Sequence, residues 1–310
     1  MTGSTGGGAT VIALDVGGAY ITAGVTAEGG SLRSTERRPT RIDRGPEAVL
    51  DTVLDCAADL AERFGPAAAG LTVPGIVDER TGMAEFAADL GWCRLPVRQR
   101  LAERLGIPVA LGHDVRSGGM AEARAGAGRG IHYFLYLTVG SGIRATVMLD
   151  GQALTGTGGG DGELGHIVVR PGGEPCECGG RGCLEAYASA AGIGLRYAKA
   201  TGENGVTARL VQERAAGGDQ VAAEIWGEAV DTLADALSIA AGLLDPERVV
   251  IGGEPTLVGD RYFVPLRAAV AERLCYRPAP AIVPAELGDD AGCRGAAMLA
   301  QDLLSREVLP

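Results

Sequence analysis

One stretch of this chain gathers residues that do chemistry: GELGHIVVRPGGEPCECGGRGCLEAYAS, from Gly162 to Ser189. It holds three of the 7 cysteines and one of the 3 histidines. His166, Cys176, Cys178 and Cys183 read H-x9-C-x-C-x4-C, and the carboxylates of Glu163 and Glu185 bracket them. Thiolates at this density, joined by a Gly-rich loop, suit a closed tetrahedral zinc site, and tight Cys/His spacing is among the more specific sequence signals. A reactive-cysteine reading is weaker, because three thiols and an imidazole together form a ligand set. A disulfide is weaker still, since Cys176 and Cys178 are two apart and the total of 7 is odd.

Four further places put polar chemistry or bare backbone at the end of an apolar run. Val11 to Leu14 ends in Asp15, Gly17 and Gly18 make a turn, and Tyr20 to Val25 starts a second strand. This is a hairpin with an acid and two glycines at its tip. A carboxylate there can hold hydrated Mg2+ near phosphates while bare backbone lets N–H groups approach them; a plain β-turn accounts for the same residues equally well. Tyr133 to Val139 and Ile143 to Leu149 repeat the design around Gly140-Ser141-Gly142, so the architecture reads as duplicated. Val109 to Leu111 ends in Gly112-His113-Asp114, followed by a helix-like SGGMAEARAG. In an open α/β sheet the ligand crevice lies at the carboxyl ends of strands, which makes Asp114 a candidate general base; a helix cap is the equal alternative. His113 beside it can bind substrate or tune the acid. Arg248 to Ile251 ends in Gly252-Gly253, where an adenine ring can lie against the backbone.

Periodicity supplies the scaffold for these residues. Pro46 to Phe64 is an amphipathic helix, Ala67 to Val73 a buried strand followed by Pro74-Gly75 and the strand-like Ile76-Val77, Pro96 to Leu105 a helix, and Ile107 to Leu111 a strand. After Ser189 the chain becomes largely helical. Ala222 to Leu244 is stopped by Asp245-Pro246, Val264 to Leu274 and Ala291 to Leu304 are helical, and Ala281 to Pro284 is a short strand. Alternating strands and helices predict an α/β fold. A chain of 310 residues accommodates two domains. The expected division is 1–112, a small N-terminal α/β domain, and 113–294, a larger one with the zinc site, with a terminal helix of about 295–310 folding back onto the first.

The net charge of −11, with no Lys/Arg-rich run, argues against a surface for nucleic acid. Aromatic residues at 4% leave little to stack bases on. No apolar stretch has the length of a membrane span. The opening MTGSTGGGAT lacks the basic-then-apolar order of a secretory signal, and residues 1–9 read as disordered. Cys56, Cys93, Cys275 and Cys293 are scattered, which fits a reducing cytoplasm.

DVGG, a strand-end Asp, GSG, GELGH, CxCGxxGCLE and VVIGG together resemble the ROK family of bacterial sugar kinases, which includes glucokinases, N-acetylhexosamine kinases and related transcriptional repressors. The resemblance starts at Val11 and runs through the chain, and GELGH with CECGGRGCLE is its most specific part. It implies the actin-like ATPase (ribonuclease H-like) fold, two α/β domains with mixed five-stranded sheets around a central cleft. It implies an ATP-dependent carbohydrate kinase, by default acting on the 6-hydroxyl of glucose, with an N-acetylhexosamine or a sugar-like cyclitol as alternative acceptors. Asp114 then matches the catalytic base. His113, Glu163, His166, Glu185 and Gly75 match sugar-binding positions. Asp15, Gly17 and Gly18 match the first phosphate motif, Thr138, Gly140, Ser141 and Gly142 the second, and Gly252 and Gly253 the adenosine motif. His166, Cys176, Cys178 and Cys183 match a structural Zn2+ site. Mg2+ with ATP and a homodimer are also implied.

Two departures from the family pattern stand out. His113 replaces the Asn that usually precedes the base, and Arg116 replaces a small polar residue. The second phosphate loop continues GSGIRATV instead of with glycines, so that Arg144 brings a guanidinium able to contact phosphate. A repressor of this family carries a helix-turn-helix ahead of DVGG, and the ten residues before Val11 are too few for one. A non-catalytic sugar sensor is opposed by the presence of Asp15, Asp114 and both pocket carboxylates.

Overall fold

The computed structural model describes residues 9–26 and 32–307. The disordered segment expected over 1–9 lies, apart from Ala9, outside the described residues. Two compact units emerge. One takes in the described residues up to Ala121, Thr155–Gly160 and those from Asp290 onward; the other is Glu122–Leu154 with Asp161–Asp289.

The first unit opens with β1 (Val11–Val16), β2 (Tyr20–Thr26) and β3 (Leu32–Pro39), then α1 (Pro46–Phe64) and β4 (Ala68–Val73). A small sheet of β5 (Ile76–Asp78), β6 (Met83–Ala87) and β7 (Trp92–Leu95) leads to α2 (Val97–Leu105), β8 (Val109–His113) and α3 (Asp114–Ala125). The main sheet has the order β3-β2-β1-β4-β8. β1, β2 and β3 are antiparallel, whereas β1, β4 and β8 run parallel. Every residue of β4 is buried, as expected of a central strand covered on both faces. The apolar stripe of α1 (Val49, Leu50, Val53, Ala57, Leu60) covers one face, and its last turn is closed by Gly65 in the left-handed region.

The second unit repeats the plan. β9 (Tyr133–Val139), β10 (Ile143–Leu149) and β11 (Gln152–Ala153) are antiparallel, and β9 continues parallel to later strands. Between them lie α4 (Glu185–Ala188), α5 (Ala190–Thr201), α6 (Ala208–Ala216) and α7 (Gln220–Leu244). β12 (Arg248–Gly252), α8 (Asp260–Arg273) and β13 (Ala281–Pro284) complete the order β11-β10-β9-β12-β13. This is the same strand order as in the first sheet, so the duplication read from the two Gly-tipped hairpins is present as two sheets of one design. The fold is the two-domain α/β arrangement with mixed five-stranded sheets that the motifs implied.

The chain then returns to the first unit as α9 (Ala291–Glu307). Its inward face is small: Cys293, Ala296, Ala297 and Ala300 pack with Val11, Ala13 and Ala68. Contact is so close that a Cβ on Gly70 of β4 would sit 1.8 Å from the Ala296 carbonyl oxygen. Among the described residues no helix is long and apolar enough to cross a membrane.

Gly70→Ala therefore has to push α9 off the sheet. We expect a loss of about 3 kcal/mol in stability, read as a lower urea midpoint; an unchanged midpoint would show that the helix does not need this approach.

Candidate active site

Parallel pairing in the first sheet sets the positions of its acids. Asp15 stands opposite Thr72, and Thr72 opposite Gly112, so the ends of β1, β4 and β8 line up. Asp114 follows β8 directly and opens α3. Two strand spacings separate β1 from β8, about 10 Å, so Asp15 and Asp114 lie at the same sheet edge. Thr72 Oγ1 donates to Asp15 Oδ1 at 2.7 Å, and the Cα of Gly292 lies against the carboxylate, where a Cβ would come within 2.3 Å. Burial, and secondarily the charge of Asp114, push the Asp15 carboxyl up to about 7, outweighing the Thr72 bond.

Asp114 Oδ1 accepts the Val115 N–H at 2.7 Å and lies 3.3 Å from His113 Nδ1. Negative charge in the first turn of a helix is favoured by its dipole, so capping and a role as base are compatible at this position. His113 is buried and its Nδ1 faces the Arg116 N–H at 3.4 Å. At the tip of β1–β2, Gly17 N–H donates to the Tyr20 carbonyl at 2.9 Å and Thr40 Oγ1 to the Gly17 carbonyl at 2.7 Å. Gly18 follows it in the same turn. Gly75 has φ +93°, and a Cβ there would come within 2.1 Å of the Phe86 carbonyl oxygen, so the turn after β4 demands glycine.

In the second unit the register sets Thr138 opposite Gly252. Gly253 presses on Val139 with φ +106°. The motif around Thr138, Gly140, Ser141 and Gly142 and the Gly252-Gly253 pair thus meet at one edge. Gly140 is different: its φ is ordinary and a Cβ would meet nothing within 4 Å. No packing demand accounts for the bare backbone there, which leaves room for a ligand to approach.

GELGH folds against the start of β10. Ala145 N–H donates to the Gly162 carbonyl at 2.8 Å. Glu185 Oε2 accepts the Ile143 N–H at 2.8 Å, so this carboxylate fastens the GSG turn to α4. Arg144 does not project as a lone phosphate contact; its guanidinium pairs with Glu163 Oε1. The other oxygen of Glu163 is 3.7 Å from His166 Nε2. His166 Nδ1 faces Cys176 Sγ at 3.6 Å, and the Cys178 and Cys183 sulfurs are 3.7 Å apart. All four donor atoms lie within 4.8 Å of one another. Zinc bond lengths of about 2.0–2.3 Å give tetrahedral edges of roughly 3.5–3.8 Å, so the donor set fits that ion. Burial pushes the Cys183 thiol up to about 12, whereas the Gly180 N–H lowers that of Cys178; a bound divalent cation overrides both by favouring thiolate.

Three partners carried no sequence signal: Thr72 on Asp15, Arg144 on Glu163, and Glu79 on Arg116. Each joins residues from different elements.

The sequence model described as ROK family matches residues 11–303. Glucokinase of Thermotoga maritima is 32% identical over 308 residues, covering 94% of this chain and 97% of that protein. N-acetylmannosamine kinase of Shigella flexneri is 32% identical over 297 residues, covering 94% and 98%. Among solved structures, a ROK family glucokinase from Streptomyces griseus in complex with glucose and AMPPNP superposes with a TM-score of 0.83 at 30% identity, covering 94% of this chain and 99% of that one.

The raised Asp15 carboxyl has a sign that can be measured. The folded state holds this proton up to about pH 7 while the unfolded chain releases it near 3.8, so stability falls as pH rises between those values. Asp15→Asn removes that slope. Urea unfolding of both proteins from pH 4.5 to 7.5, without divalent cations, should show wild type losing ground to the variant; parallel curves would refute the shift.

Proposed function

The chain belongs to the ROK family, and from that premise we propose how its residues divide the work of an ATP-dependent sugar kinase, with glucose as the default acceptor and its 6-hydroxyl as the nucleophile. The observation that carries this reading is the pair of acids at the carboxyl ends of β1 and β8 beside a Gly-tipped hairpin. A sugar hydroxyl is a weak nucleophile, and a carboxylate that takes its proton orients it in line with the γ-phosphate. Asp114 is assigned that role: its Oδ1 is fixed by the Val115 N–H. Asp15, with Gly17 and Gly18, is assigned to the phosphate end, where Mg2+ supplies charge neutralisation when bound. Thr138 and the Gly140, Ser141 and Gly142 turn offer backbone and hydroxyl donors, and Gly252 and Gly253 a flat surface for the adenosine.

Glu163, His166, Glu185, His113 and Gly75 are assigned to the acceptor. Carboxylates and imidazoles that hydrogen-bond substrate hydroxyls reject analogues lacking them. His166 with its three cysteines is assigned to structural zinc. With Nδ1 on the ion, the other ring nitrogen is fixed as an N–H toward Glu163, so the metal would hold the imidazole for sugar recognition. The likeness to N-acetylmannosamine kinase, together with His113, supports an N-acetylhexosamine as the second acceptor class. We place the enzyme in the cytoplasm, as a homodimer.

An ADP-release assay over hexoses, N-acetylhexosamines and cyclitols with Mg-ATP tests the activity; turnover of none would sink it. Asp114→Asn should lower kcat by about 10³-fold while calorimetry still shows sugar binding, and substantial turnover by the variant would remove Asp114 from its role. Cys178 is exposed, so Cys178→Ser removes little packing. It should abolish zinc measured by elemental analysis and weaken sugar affinity; undiminished affinity in metal-free protein would refute the brace.

A further inference from the structure

Glu79 and Arg116 have no part in the reaction as assigned so far. β8 is the outer strand of its sheet, so alternate N–H groups along it point away from β4. That of His113 donates to Glu79 Oε1 at 3.1 Å. The same oxygen accepts from Arg116 Nε at 2.9 Å, and Arg116 Nη2 donates to the Val77 carbonyl at 3.3 Å. The Arg116 side chain is 5% exposed and that of Glu79 39%. A cation in the first turn of α3 faces the unfavourable end of the helix dipole, and a buried guanidinium needs a nearby carboxylate. Glu79 meets both demands.

The two gripped residues flank Asp114. Glu79 holds the peptide before it through the His113 N–H and the helical turn after it through the Arg116 side chain. The Arg116 N–H closes the loop onto His113 Nδ1 at 3.4 Å, and that nitrogen lies 3.3 Å from Asp114 Oδ1. Glu79 itself follows β5, on the connection that starts at Gly75.

We propose that Glu79, acting through Arg116 and the His113 peptide, is a positioning residue that aims the Asp114 carboxylate at the acceptor hydroxyl. The proposal rests on the reading of Asp114 as the base. Glu79→Ala frees both grips. A misplacement near 1 Å costs about 10²-fold, so kcat should fall by roughly 10- to 100-fold, with KM for sugar and for ATP close to wild type; loss of the carboxylate beside the buried Arg116 should also lower the melting temperature. Glu79→Gln keeps an oxygen for the His113 N–H and should recover most of that loss. Arg116→Lys keeps the charge but not the fork and should show a smaller loss of kcat in the same direction. Wild-type kcat in Glu79→Ala, or a glutamine variant as impaired as the alanine one, would overturn the proposal.

A second readout needs no turnover. Hydrogen exchange at the His113 amide should quicken by about tenfold or more in Glu79→Ala, and unchanged exchange overturns the clamp. An enzyme inactive on every acceptor fails the kinase reading alone, and the clamp is then judged by exchange.

Discussion

Parallel pairing is the constraint on which the rest of this molecule depends. A parallel strand starts and ends on the same side as its neighbour, so whatever follows each strand collects at one sheet edge. In the first sheet that edge receives Asp15, the Gly75 turn and His113-Asp114; in the second it receives the Gly140 turn and Gly252-Gly253. The antiparallel hairpin in front of each parallel set supplies the bare backbone. One strand order, used twice, therefore places acids in one unit and glycine turns in both.

Much of this was legible because its signals are local. The helix Pro46–Phe64 and the strands Tyr133–Val139 and Ile143–Leu149 were expected with the bounds observed, since apolar period and glycine breaks lie within a few residues. The zinc-type cluster was legible for the same reason. β3 was not: LRSTERRP is an edge strand whose side chains are mostly exposed and carry no apolar alternation. The start of α3 was expected at SGGMAEARAG and falls at Asp114, because a helix can begin on its own acid when the carboxylate takes the next N–H. The site's pairings were not legible at all. Thr72 is 57 residues from Asp15, Arg116 is 37 from Glu79, and Arg144 is 19 from Glu163, and no spacing rule links residues that far apart.

Those pairings also divide the carboxylates of the site. Glu163 and Glu79 each face a guanidinium. Asp15 receives a hydroxyl instead, and burial dominates its titration. The chain thus keeps some carboxylates committed and leaves one poised near neutrality, where a cation can claim it. Arg144, beside the GSG turn, holds Glu163 in place rather than standing alone.

The seating of α9 against Gly70 has a consequence for how the protein is made. β1 is made before the second unit, Glu122–Leu154 with Asp161–Asp289, yet its cover is residues 291–307, which are made after it. At typical synthesis rates that interval lasts on the order of 10–30 s. Through it the first sheet stands with the Val11, Ala13 and Ala68 face uncovered. The two sheets share a design but not a history: the second is continuous enough to close once Asp289 is made, and the first is completed only by α9, which follows it. Its closure depends on contacts of very high sequence separation, which are the slow kind.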